Sequence, residues 1–252
     1  MAKLKVLDLF SGLGGFSLGL ERTGGFSTVA FCEIDKFCQR VLANHWPEVN
    51  CYEDVAVADF EHVGSVDVVT AGFPCQDVSI AGDVWGLGAG LAGERSGLFW
   101  HVVRTIRLVG RPLVLLENVA ALLDRGMGSV LGAMATAGYD TEWNCFPAAA
   151  VGAPHSRDRT WIIAYPGEKG RQGYLVNWEA FSVADAAEVT QLGQYRAVCG
   201  PEWASDFPSV SVGNELPGDV VRSTIAACGN SVVPKIPELI GRAILESERR
   251  AA

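Results

Sequence analysis

Short apolar runs alternate with helix-like stretches through the first two thirds of the chain, and this alternation limits the fold more than any other feature. The runs are rich in Val, Ile and Leu, have the length of buried strands and cover residues 5–10, 26–33, 66–72, 112–119 and 159–165, with a shorter strand near 50–53. Helical patterns occupy 15–23, 35–45, 97–110 and 124–137. The alternation predicts an α/β fold with a mainly parallel sheet, whose strand carboxyl ends share one ligand-binding edge.

The pattern changes after Tyr165. No periodicity persists over residues 166–213, where aromatic residues are scattered among Gly, Gln, Ser and Ala. Regularity returns near residue 214 and ends in a helix-like tail, PKIPELIGRAILESERR. The chain therefore divides into residues 1–165, an irregular region at 166–213 and a closing segment at 214–252.

Composition narrows the class of protein. Hydrophobic residues make up 49% of the 252 and charged residues 19%, which predicts a sizeable buried core. The formal net charge of −9 argues against a bulk polyanion binder. The seven cysteines form no CxxC pair, so we expect no metal site and a reducing compartment. With neither a signal-peptide cleavage region nor an uncharged apolar run of about 18 residues, we expect a cytoplasmic protein without membrane segments.

The stretch DLFSGLGG, residues 8–15, follows the first predicted strand and precedes a helix. It is either a plain turn or a loop whose glycines let a ligand approach the backbone. Glu33 at the tip of the next strand is placed to hold ribose hydroxyls, and Asp54 could reach an adenine edge. The dinucleotide fingerprint is absent because Ser17 takes its last glycine position, which favours S-adenosylmethionine over NAD.

The stretch AGFPCQDVS places Cys75 directly after Pro74 at the end of the fourth predicted strand. A lone cysteine is most often a small buried hydrophobe. Polar neighbours and the glycine-rich segment at 80–96, long enough to be a closing lid, favour a nucleophilic thiolate instead.

Two further motifs carry charged side chains to strand ends. LLENV ends the fifth predicted strand with Glu117, which is either a solvated acid or a proton donor whose pKa is raised in a cleft. PHSRDR spaces Arg157 and Arg159 two residues apart on one face of an extended segment, where they are either a solvated edge or a fork for phosphate, carboxylate or a base.

Taken together, these residues resemble the cytosine-C5 DNA methyltransferase family. DLFSGLGG is similar to its cofactor loop, GFPCQ to its nucleophile motif, ENV to its acid motif, HSRDR to its arginine motif and GNSVVP at 229–234 to its late motif, all in family order. The resemblance implies a Rossmann-like S-adenosylmethionine-dependent methyltransferase fold. Residues 1–165 would form the catalytic and cofactor-binding domain, 166–213 a small irregular target-recognition lobe, and 214–252 a segment that returns to complete the catalytic domain.

The resemblance also implies roles for matching positions. The implied S-adenosyl-L-methionine site consists of Phe10, Gly12, Gly14, Glu33, Ile34, Asp54, Val55, Pro74, Leu98, Asn230 and Ser231. Within it, Glu33 would hold the ribose, while Ile34, Asp54 and Val55 would surround the adenine. The implied catalytic residues are Cys75, which would attack cytosine C6, Glu117, which would protonate N3, and Arg157 and Arg159, which would orient the base. The target base must leave the duplex, at a cost of a few kcal/mol.

The chain departs from the family pattern at three places. His155 stands where the arginine motif commonly begins with Gln, and NELPGDVVRS is at most a remnant of the usual motif before the last helix. The region at 166–213, which the resemblance implies reads DNA, is short and carries three basic against six acidic residues. Such a lobe suggests a short recognition sequence, few phosphate contacts or help from a partner.

The resemblance implies double-stranded DNA as the partner, a cognate restriction endonuclease as a candidate second partner, and a monomer or weak dimer. A transfer-RNA cytosine-5 methyltransferase shares the catalytic motifs, but its usual Cys-Phe-Thr stretch is absent from the variable region here. A catalytically idle DNA-binding homologue is the remaining alternative, and intact Cys75, Glu117 and Arg159 speak against it.

Overall fold

The computed structural model describes residues 2–74, 98–153, 157–167, 223 and 227–251. Within them, one sheet has the strand order β3-β2-β1-β4-β5-β7-β6. The strands are β1 (Leu4–Leu9), β2 (Phe26–Cys32), β3 (Asn50–Tyr52), β4 (Val68–Gly72), β5 (Leu113–Val119), β6 (Tyr139–Pro147) and β7 (Asp158–Pro166). The pairs among β1 to β5 are parallel, whereas β7 runs antiparallel to both β5 and β6.

Helices connect and cover these strands. They are α1 (Gly15–Arg22), α2 (Lys36–His45), α3 (Leu98–Leu108), α4 (Leu122–Arg125), α5 (Met127–Thr136) and α6 (Lys235–Ala251). Asp35 caps α2, because its carboxylate accepts the backbone N–H groups of Phe37 and Cys38. No helix in the described ranges is long and apolar enough to cross a membrane.

The predicted α/β fold with a mainly parallel sheet is confirmed. Two local differences stand out. The stretch predicted as one helix at 124–137 is two, which meet at Gly126. Strand β6 was not predicted, because it lies at the sheet edge and most of its residues are exposed or half-buried instead of forming an apolar run.

The core lies on both faces of the sheet. Successive residues of β1 point to opposite faces, so Leu7 packs in the cluster beneath α3 and α5 while Val6 packs in the cluster beneath α1 and α6. The second cluster contains Trp161 of β7 and Ile236 of α6, so the closing segment covers the sheet beside the arginine motif.

The closing segment lies tightly against α1. A Cβ atom on Gly15 would collide with the carbonyl oxygen of Val232, and one on Gly19 would collide with that of Pro234. Both helix positions therefore require glycine for this close approach. The packing brings residues 230–233 to the carboxyl edge of the sheet, next to the loop that follows β1.

Candidate active site

The loop between β1 and α1 turns sharply at the point where β1 separates β2 from β4, the switch point at which open α/β sheets bind ligands. Phe10 has a φ of 53° and Gly12 a φ of 55°. Nothing lies within 4 Å of the position that a Cβ atom on Gly12 would take, so the backbone there faces open space. The loop can therefore admit a ligand close to its main chain.

The carboxylate of Glu33 holds this loop in place. Its Oε2 accepts the backbone N–H of Gly12 at 2.7 Å, and its Oε1 accepts that of Asp35 at 2.8 Å. The next residue, Ile34, is 67% exposed. One end of the site thus offers carboxylate oxygens for hydroxyl donors beside an apolar side chain that a flat ring could cover.

Glu117 occupies a different environment at the end of β5. It is only 7% exposed, and the Nε of Arg159 donates to its Oε1 at 2.8 Å. Burial raises the pKa of Glu117 above its ordinary value, although the charges of Arg159 and Arg157 oppose that rise. Burial also lowers the pKa of Arg157, as does the neighbouring charge of Arg159.

The direction of the strands explains why Glu117 and the two arginines lie close together. Because β7 is antiparallel to β5, its beginning lies beside the end of β5, and Arg159 pairs with Val119 while Trp161 pairs with Glu117. The arginine motif starts one strand and the acid ends the other, so both reach the same edge of the sheet.

Two residues that the sequence analysis did not assign to the site support it. The Nδ2 of Asn118 donates to the carbonyl oxygen of Phe73 at 2.9 Å, which ties the end of β5 to the loop after β4. Asp8 is fully buried and accepts the hydroxyls of Thr70 at 2.6 Å and Ser17 at 2.9 Å. Burial raises the pKa of Asp8 to about 7, against the opposing effect of those hydrogen bonds. A carboxylate within an apolar strand was the sequence signal for Asp8.

A cleft of about 820 Å³ joins the two ends of the site. Nine residues proposed from the sequence line it, namely Phe10, Gly12, Glu33, Ile34, Pro74, Glu117, Arg157, Arg159 and Asn230. Its other described lining residues are Asp35, Cys38, Gly72, Phe73, Asn118, Val119, Ser223 and Ala227. Its volume is that of a typical small-molecule site, for which about 300–1,000 Å³ is usual.

Five proposed cofactor residues lie away from the cleft lining. Gly14 packs against Trp46 at the start of α1, and Leu98 begins α3 against the core. Asp54 accepts the backbone N–H of Ala56, and Val55 is buried. The fifth, Ser231, lines a separate small cavity behind Glu117.

Cys75, His155 and the segment at 80–96 lie outside the described residues, as does nearly all of the region at 166–213. Their assignments stay predictions. Pro74, directly before Cys75 in the chain, does line the cleft.

The chain is similar to known proteins. A family model described as C-5 cytosine-specific DNA methylase matches residues 4–202. The type II methyltransferase M2.BsuMI of Bacillus subtilis (strain 168) is 34% identical over 165 residues, which cover 64% of this chain and 42% of that protein. The orphan methyltransferase M.SPRI of Bacillus phage SPR is 30% identical over 206 residues, covering 79% of this chain and 45% of that protein.

The chain thus spans less than half the length of these two relatives. Among solved structures, the S. pombe Dnmt2 methyltransferase is similar with a TM-score of 0.57 and 19% identity, over 71% of this chain and 54% of that one. At that identity the similarity shows the fold alone.

Proposed function

Because the chain belongs to the C-5 cytosine-specific DNA methylase family, we propose that it is a DNA (cytosine-5)-methyltransferase that uses S-adenosyl-L-methionine. The observation that carries the proposal is a single cleft that contains both the Glu33 loop and the buried pair of Glu117 and Arg159. A cofactor end and an acid end are what methyl transfer to a cytosine ring requires.

The cofactor end fits S-adenosylmethionine in its chemistry. The Glu33 carboxylate can accept ribose hydroxyls, and exposed Ile34 can lie against an adenine ring. The open backbone at Gly12 leaves room for the rest of the cofactor, and Phe10 and Asn230 line the same cleft. When bound, the cofactor supplies an electrophilic methyl group on a sulfonium.

The acid end would make the cytosine ring reactive. Cytosine C5 is a poor nucleophile, and addition of the Cys75 thiolate to C6 divides one difficult step into easier ones. Glu117, kept protonated more readily by burial, would donate its proton to N3 as the sulfur adds, so that negative charge does not accumulate on the ring. C5, now richer in electrons, would then take the methyl group from the sulfonium, whose bond to that carbon breaks. Loss of the C5 proton to water, elimination of the Cys75 sulfur from C6 and return of the N3 proton to Glu117 would restore the thiolate, the protonated acid and the aromatic ring.

The two arginines would complete the site. Arg159 holds the Glu117 carboxyl through Nε and donates from Nη1 to the carbonyl oxygen of Asp158, so Nη2 is the terminal nitrogen that would bind another acceptor. Arg157 lines the same cleft, so both cations can orient an acceptor oxygen of the base. The base would be flipped out of double-stranded DNA to enter this cleft.

The experiment is transfer of a labelled methyl group from S-adenosylmethionine to mixed-sequence duplex DNA, with transfer RNA as the competing substrate and Cys75→Ala as the matched variant. We expect incorporation into DNA that depends on Cys75. Calorimetry should show that Cys75→Ala keeps its affinity for the cofactor, because the cleft residues that would hold it are unchanged.

Incorporation only into transfer RNA would move the chain to the RNA-directed alternative. Cofactor binding without Cys75-dependent methyl transfer to either substrate would contradict the proposal that the protein is an enzyme. It would favour a catalytically idle DNA-binding homologue. Base-resolution sequencing of methylcytosine in cells that express the protein would then report the recognition sequence. A cognate restriction endonuclease, if one is encoded, should cut the same sequence.

A further inference from the structure

A second, much smaller cavity of about 10 Å³ adjoins Glu117 on the face of the sheet that the closing segment covers. Its walls come from β5, from β7 and from the closing segment that packs over that face of the sheet. Glu117, Arg157 and Arg159 line both spaces. The cavity is therefore a rear compartment of the acid end, and we call it the rear cavity.

Three polar atoms of residues that line the rear cavity are buried without a hydrogen-bond partner among the residues that the structure describes. They are the indole Nε1 of Trp161, the Nε of Arg157 and the Oγ of Ser231. Trp161 is 1% exposed and Ser231 is 8% exposed, so bulk water does not reach either atom. A buried donor without a partner costs roughly 1–3 kcal/mol, and three around one cavity call for a shared partner.

The sheet register explains why these groups converge. Trp161 pairs directly with Glu117 across the two strands, so their side chains share one face. Arg157 and Arg159 precede Trp161 at intervals of two along the same extended segment, so they project to that face as well. The closing segment, which packs over this face of the sheet, brings Ser231 to the cavity.

We propose that one water molecule is bound in the rear cavity, where it accepts the N–H groups of Trp161 and Arg157 and donates to the Glu117 carboxyl and to Ser231 Oγ. Two donors and two acceptors satisfy all four hydrogen bonds that a water can make. The cavity meets the lower limit of size, since one water needs about 10–15 Å³ of accessible space and two to four polar partners.

The consequence concerns Glu117. A water that donates to its carboxyl stabilises the ionised form and orients the group from behind, while Arg159 holds Oε1. Trp161 and Ser231 are then positioning residues that act through this water. Ser231 also makes the hydration of the acid depend on the closing segment lying in place. Among the described lining residues, the charged groups that face the water are Glu117, Arg157 and Arg159.

The site can be tested without any methyl transfer. High-resolution crystal structures of the cofactor-free protein and of Trp161→Phe should show an ordered water in the first and its loss or displacement in the second. Infrared titration of the carboxyl band, assigned with Glu117→Gln, should show that Trp161→Phe raises the Glu117 pKa by about one unit, or tenfold in the ionisation equilibrium. Ser231→Ala should raise it by less, because the water keeps three partners.

Trp143→Phe is the matched control, since Trp143 lies half-exposed on β6 away from this cavity. Circular dichroism of each variant checks that it is folded. A protein atom found bonded to the Trp161 indole in the crystal would overturn the proposal, as would a Glu117 titration that Trp161→Phe and Ser231→Ala both leave unchanged. Ser231 Oγ bound to S-adenosylmethionine in a cofactor complex, with no water behind Glu117, would overturn it as well. Because these measurements use the protein without cofactor or DNA, they test the water site even if the proposed methyltransferase activity is not found.

Discussion

Glu33 and Glu117 are two glutamates at the carboxyl ends of parallel strands in one cleft, but the protein surrounds them differently. Glu33 accepts two backbone N–H groups beside exposed Ile34. Glu117 is buried and paired with a guanidinium. Identical side chains therefore suit different tasks, because the environment decides whether a carboxyl group mainly accepts hydrogen bonds or retains a proton.

The largest expected effect comes from a substitution of Glu117, which changes the acid end of the site and leaves the cofactor end intact. Glu117→Gln removes the proposed proton donor while it preserves the shape of the side chain, so we expect kcat for methyl transfer to fall by about 10²–10⁴-fold. Affinity for S-adenosylmethionine should stay within a few-fold of wild type. Single-turnover kinetics and calorimetry measure the two quantities. The control, Glu61→Gln, changes an exposed glutamate far from the cleft. Equal losses of rate and cofactor affinity in Glu117→Gln would contradict the assignment of separate roles to Glu117 and Glu33.

The second prediction concerns Asp8, the buried acid beneath the cofactor end. Its pKa is about 7 in the folded protein against an ordinary value of 3.8. The folded protein thus keeps a proton that the unfolded chain releases. Its contribution to stability is complete below pH 3.8 and is lost as the pH rises to about 7. The loss reaches about 4 kcal/mol at most.

Asp8→Asn should remove that part of the pH dependence, because a neutral amide replaces the carboxyl. Urea unfolding of both proteins across this pH range measures the difference in the free energy of unfolding. Asp67→Asn, on the surface at the start of the neighbouring strand, is the control. Parallel pH profiles for wild type and Asp8→Asn would show that Asp8 does not titrate in this range.

A smaller effect is expected at the cofactor end. Glu33→Gln turns one acceptor oxygen into a donor amide that faces a backbone N–H, and we expect the cofactor Kd to rise by about 10–100-fold. Turnover at saturating cofactor should change little. Calorimetry and initial rates distinguish the two, with Glu53→Gln on an exposed neighbouring position as the control. A fall in kcat with an unchanged Kd would place Glu33 in the chemical step instead.

The smallest expected effect concerns the turn that contains Asp54, which the resemblance places beside the adenine. The substitution tests whether cofactor binding depends on the contact of this turn with α3. The guanidinium of Arg104 donates to the carbonyl oxygens of Val55 at 2.9 Å and Ala58 at 3.3 Å, and so holds the turn that contains Asp54. Arg104→Met should weaken cofactor binding by about 3–10-fold through loosening of this turn. Arg107→Met, one turn along the same helix, should leave the Kd unchanged. If both variants bind the cofactor as tightly as wild type, the turn contributes nothing to the site.

Much of the fold was predictable because its central strands are buried on both faces. β1, β4 and β5 appear as apolar runs, and their carboxyl ends carry the polar residues that line the cleft. Strand β6 escaped prediction since an edge strand has no such run. Val55 and Leu98 were assigned by resemblance and Asp54 also from its place after a strand, but none of the three lines the cleft in the structure.

The sequence by itself determined the apolar strands, the glycine loop and the positions of the acids and arginines, because each of these depends on a local pattern of hydrophobic or charged residues. Only the tertiary structure decided which of them meet. The antiparallel direction of β7 brings Arg159 to Glu117, and the return of α6 over the sheet encloses Trp161 and Ser231 behind that acid. Strand direction and the packing of distant segments depend on contacts between residues far apart in the chain, which no local pattern records.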